Sequence, residues 1–94
     1  MGTFHNDRGE LHGITVVVDT RGGDCLIGRF DLEDDRGLLL RDVDVHRAGD
    51  SDRTRGEFLE RAARFGPWPK HRALVLPRAE VAALRRLGEI ADIA

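Results

Sequence analysis

The sequence predicts a mainly β fold: a small, strongly bent, five-stranded antiparallel barrel with one short α-helix inserted at about residues 54–65. Three observations carry that expectation. Ile14 to Val18 form a β-branched run that is apolar on both faces, as in a strand covered on both sides. The next run, CLIGRFDL, has a glycine at its centre, and a glycine inside a strand marks a bend, a bulge or a close backbone approach. Residues from Thr54 to Phe65 switch to a helical period behind a capping pattern. At 94 residues the chain makes a single domain with one modest core.

Residues 1–11 read as a flexible N-terminus. The first strand covers 12–20, and RGGD at 21–24 supplies two glycines for a tight turn. The second strand is CLIGRFDL at 25–32, bent at Gly28. EDDRG at 33–37 is a turn: Asp34 and Asp35 can bond their own backbone, and Gly37 can take positive φ. The third strand is LLLRDVDVH at 38–46; in its second half Val43 and Val45 point one way, Asp42 and Asp44 the other.

An insertion at 47–72 follows, opening with the loop RAGDSDR. Thr54 and Glu57 make a T-x-x-E capping box. Phe58, Leu59, Ala62, Ala63 and Phe65 recur at helical spacing, and Gly66 with Pro67 ends the helix. PWPKH is rigid and irregular, and RALVL at 72–76 is the fourth strand. The tail has two readings over 78–88. Pro77 can open a helix with Val81, Leu84 and Leu87 as its stripe, or a short turn can lead into a closing strand, EVAALRRL.

Net charge is −2 but unevenly spread. Residues 1–52 hold 6 basic and 12 acidic side chains, a net −6; residues 53–94 hold 9 basic and 5 acidic, a net +4. The simplest reading is that the two halves, or two copies, complement each other. Aromatics are few, and only Phe30 falls in a strand-like run, which disfavours a module that stacks bases on strand-borne rings. Cys25 is the only cysteine, so no internal disulfide can form, in keeping with a reducing compartment. It reads as a small core side chain. No window resembles a signal peptide or a membrane span, so the expected location is cytoplasmic, with no membrane partner.

The acidic turn fails as a calcium loop. Counting from Asp31, Glu33 and Asp35 fill positions 3 and 5, but Arg36 stands where glycine is needed and Asp42 where a bidentate Glu is needed. His5, His12, His46 and His71 have no metal-ligand spacing and read as solvated surface residues. RGGDCLIG lacks the GK[ST] end of a phosphate loop, and the lone serine, Ser51, sits in a loop. No catalytic residue, metal or cofactor is expected, and the chain reads as a non-enzyme.

Two stretches carry a family resemblance over roughly Gly13 to Leu87. CLIGRFDLEDDRGLLLRDV looks like the first Sm motif, with Gly28 as the bending glycine and Leu38 to Leu40 as the apolar third strand. LVLPRAEVAAL looks like the second, with Val81 and Leu84 on a closing strand. The chain thus resembles the Sm-like barrels of Sm, LSm and Hfq proteins. It has no Asn where the family's first motif holds a base, and Pro77 and Arg78 stand where the second has Arg-Gly. The family's uridine pocket therefore does not carry over; the barrel and its ring assembly do. The resemblance implies a non-catalytic homo-oligomeric ring with RNA as a ligand. Contacts would come from Arg36, Arg78 and the basic insertion: Arg61, Arg64, Lys70 and Trp68, an indole that could stack on a base. The alternative is a protein-interaction or scaffold module on a PRC-barrel or SH3-like barrel, without nucleic acid. There the apolar helix and GPWP would dock a protein partner.

Overall fold

The computed structural model describes residues 11–49 and 53–93, with side chains described to residue 90. The strands are β1 (Thr15–Thr20), β2 (Cys25–Asp34), β3 (Gly37–His46), β4 (His71–Leu76) and β5 (Val81–Arg86). Helix α1 (Arg55–Phe65) lies between β3 and β4, a 3-10 turn (Arg78–Glu80) joins β4 to β5, and helix α2 (Leu87–Ile93) ends the described chain. All strand pairings are antiparallel, in the order β4-β3-β2-β1-β5. The sheet does not close: β4 and β5 are its two edges. Among the described residues no helix is long and apolar enough to cross a membrane.

Two irregularities bend the long β2–β3 ribbon. Between the pairs Ile27↔Asp44 and Arg29↔Arg41, Gly28 faces two residues, and one of them, Asp42, takes the left-handed conformation at φ 52°. A Cβ on Gly28 would lie 3.0 Å from Val43 Cγ2 and 3.2 Å from the Arg41 carbonyl oxygen, so the strands approach closely here because the side chain is missing. The second shift, between Phe30↔Leu40 and Leu32↔Leu39, leaves Asp31 as the extra residue.

The consecutive valines of β1 explain the two apolar layers. Val16 and Val18 point inward to a core with Leu26, Phe30, Leu38, Leu40, Val43, Val45 and Leu76. Val17 points to the opposite face, where Cys25 and Ile27 join Phe58, Leu59 and Ala62 of α1 and Leu87 of α2. The helical insertion therefore neither plugs the mouth of the barrel nor awaits a neighbour; it covers the outer face of β1 and β2. Its start is closed by the capping box, with Glu57 N–H donating to Thr54 Oγ1 at 3.1 Å and Thr54 N–H to Glu57 Oε1 at 2.8 Å. Ala63 and Phe65 are the exceptions in the predicted stripe: both are exposed in the last turn.

The tail resolves as a short turn and the closing strand β5, which carries Val81 and Leu84, so the strand reading holds and the helical stripe from Pro77 does not; a helix, α2, starts only at Leu87. The expectation of a flexible segment at 1–11 lies, up to residue 10, outside the described residues; Leu11 is buried against the first core.

Candidate interaction surfaces

The acidic run in β2 and β3 is a tight hairpin. Asp34 pairs with Gly37 across a turn of Asp35 and Arg36. Asp34 Oδ1 accepts from the Arg36 backbone N–H at 2.9 Å, and Oδ2 from the Arg36 guanidinium at 2.9 Å. The hydrogen bond from the Arg36 side chain holds the Asp34 carboxyl below its ordinary value. Arg78 reaches the same tip: it lies 2.8 Å from Glu33 Oε2 and donates to the Asp34 carbonyl at 2.8 Å. Arg36 and Arg78 thus meet at one hairpin tip, each already beside a carboxylate.

The other four expected residues gather at the far end of β3, where an extended strand from Gly37 to Asp44 covers up to roughly 23 Å. The Arg61 guanidinium stacks over the Trp68 ring at 4.4 Å. Arg64 pairs with Glu60 at 3.7 Å on the exposed side of α1. Lys70 Nζ lies 3.8 Å from Asp44 Oδ1. The six residues therefore form two separate groups rather than one cationic track.

Asp44 organises the second group from the face opposite Val43 and Val45. It is buried at 3% exposure. Its Oδ1 accepts from Val45 N–H at 2.9 Å and its Oδ2 from Trp68 N–H at 3.2 Å, pinning the segment after α1 to β3. His46 is likewise buried rather than solvated, stacked on Phe58 with ring centroids 5.4 Å apart. His12 and His71 are exposed, and His5 lies outside the described residues.

The acidic first half and basic second half do meet within one chain. Arg55 binds Asp19 in a bidentate pair at 2.7 and 2.9 Å, Arg78 meets Glu33, and Lys70 meets Asp44. Cys25 lies under this seam. Burial, with the nearby Asp19 charge, pushes its thiol up to about 12 against the weaker opposing pull of Arg55. A thiol so held is protonated at neutral pH and behaves as core, as the sequence suggested.

One feature escaped the sequence: a cleft of about 230 Å³ beside the Asp31 bulge, lined by His12, Gly13, Arg29, Phe30, Asp31 and Arg41. Its charges cancel in pairs: Arg41 to Asp31 at 2.7 Å and Arg29 to Asp42 at 3.0 Å. No spacing rule could place it, because it depends on a one-residue register shift. Of the docking segment offered by the sequence, two large rings at the end of α1 stand exposed, Phe65 at 76% and Trp68 at 65%.

No protein-family model matches the chain, and no curated protein does. Among solved structures, the fold is similar to that of a chain in the crystal structure of the NatC complex bound to CoA, with a TM-score of 0.56 and 15% identity. The match covers 88% of this chain and 91% of that one, so the two share a fold over nearly their whole lengths.

Proposed function

We propose that the chain is a non-catalytic protein-interaction module on a divergent Sm-like open barrel, working as a subunit of a protein assembly. The observation that carries this reading is the exposure of Phe65 and Trp68 on a firmly anchored segment. Large rings held out in water on a fixed backbone are the usual anchors of a protein interface. The docking helix face expected from sequence is spent on the outer core, which leaves these two rings for the partner. The bent β2–β3 ribbon with Gly28, and the short turn from β4 to the closing strand, support the Sm-like part. A similar fold within the NatC complex supports assembly with other proteins.

RNA binding is weaker on the same geometry. Arg36, Arg64, Arg78 and Lys70 each lie within 4 Å of a carboxylate, and a phosphate would have to displace it. Phe30, the only Phe, Tyr or Trp ring on a strand among the described residues, is buried.

The double substitution Phe65→Ala and Trp68→Ala tests the reading. Both side chains are exposed, so the thermal midpoint should stay within about 2 °C of wild type. Proteins recovered with the tagged chain from its source cells, quantified by mass spectrometry, should fall more than about tenfold. Undiminished recovery, or recovery abolished by ribonuclease, would refute it.

A further inference from the structure

The arginines divide sharply by location. Those on β2 and β3, in the connections and on the helix are matched by a carboxylate or a ring: Arg29 by Asp42, Arg36 by Asp34, Arg41 by Asp31, Arg47 by Asp24, Arg55 by Asp19, Arg64 by Glu60 and Arg78 by Glu33, with Arg53 over Phe58 and Arg61 over Trp68. Arg21 donates to the Ala79 carbonyl. Among the described residues, only Arg72, Arg85 and Arg86 have guanidinium groups with no such contact. All three lie on the two edge strands, Arg72 on β4 and the other two on β5.

On β5 the two charges are adjacent and so point to opposite faces. Arg85 stands beside Val17 on the outer face, and Arg86 beside Val16 on the inner one. Glu89 is the nearest acid in sequence; its Oε1 accepts from the Arg86 backbone N–H at 3.2 Å and pairs with neither guanidinium. Towards the start of β5, Val81 and Leu84 are only half buried, although they belong to the inner core. Apart from the Arg86 N–H that Glu89 holds, the free side of β5 therefore offers an edge with no neighbouring strand, an incompletely covered apolar row and an uncompensated positive charge on each face.

We infer that β5 accepts an extended acidic segment of a partner protein, added as a sixth antiparallel or parallel strand. This rests on the interaction-module reading and names the chemistry of the partner. A second copy is the wrong occupant: pairing β4 of one copy with β5 of another would bring Arg72 towards Arg85 and Arg86, and like charges across a ladder repel. Arginines on an edge also keep out strands at random, while a strand of opposite sign overcomes that barrier. Main-chain bonds would supply affinity, and the two arginines would supply selectivity.

The probe is a synthetic peptide with an adjacent Glu-Glu pair between valine and threonine residues, alongside its Lys-Lys counterpart. Binding is read by fluorescence anisotropy, and location by amide hydrogen exchange. The acidic peptide should bind at least about tenfold more tightly than the basic one and should slow exchange within Val81–Arg86. The charge swap Arg85→Glu with Arg86→Glu, at exposed positions, should reverse the preference. N-methylation at alternate peptide positions should abolish binding in one register only, because a strand pairs through alternate residues. Equal affinity for the two peptides, an unchanged preference after the swap, protection away from β5, or no binding at all would overturn the inference. If the swap has no effect while the Phe65 and Trp68 substitutions still release the cellular partner, the edge assignment fails and the interaction module stands.

Discussion

Replacing Gly37 by alanine is expected to remove a large share of the stability of this protein. Gly37 closes the β2–β3 hairpin at φ 133°, a conformation that side-chain-bearing residues avoid. A Cβ there would also stand 2.8 Å from the Leu76 carbonyl carbon and 2.9 Å from Pro77 Cα. Both neighbours are main chain at the end of β4, so relief requires pulling β4 off β3, where Leu38 faces Leu76. Backbone strain and lost pairing together should cost about 3 kcal/mol or more, a large share of the roughly 5–15 kcal/mol typical of a domain. Urea denaturation measures it. The neighbouring change Arg36→Ala, which removes only an exposed ion pair, should leave the urea midpoint nearly unchanged. Equal effects of the two substitutions would mean that the hairpin is not held as described.

Phe58→Ala should be similarly damaging, by a different route. Phe58 is 1% exposed and is the largest side chain joining α1 to the outer face of the sheet. Its ring stacks on His46 and lies under Arg53, whose guanidinium is 4.9 Å away. Truncation leaves a cavity and should cost about 3–5 kcal/mol. For a chain of this size that lowers the midpoint by more than about 12 °C. Calorimetry reads the shift; a drop of less than about 4 °C would show that α1 is not part of the folded core.

Much of the fold was legible because single residues carried unambiguous physics. The Val16–Val18 run announced a strand with two covered faces, and the structure gives it two separate apolar layers. Gly28 announced the bend, Thr54 with Glu57 the helix start, and Gly37 the turn. What stayed hidden depends on long-range placement. Alternation in β3 correctly put Asp42 and Asp44 opposite Val43 and Val45, but could not show that the α1–β4 connection buries Asp44. The same connection set the fate of the candidate site. A count of cations in 53–72 suggests a phosphate surface, yet all but Arg72 are engaged: Lys70 by Asp44, Arg64 by Glu60, Arg55 by Asp19, Arg61 by the Trp68 ring and Arg53 by the Phe58 ring. The helical stripe likewise grouped Phe65 with Phe58 and Ala62, although the helix overhangs the sheet there and leaves the ring in water.

Native mass spectrometry of the protein purified from its source cells, with no nuclease step, tests the central claim most directly. The expected spectrum is one copy of the chain carrying the mass of a different protein, unchanged by ribonuclease. A closed ring of identical copies whose extra mass ribonuclease removes would contradict the interaction module and restore the RNA-binding ring, and the chain alone would contradict it as well.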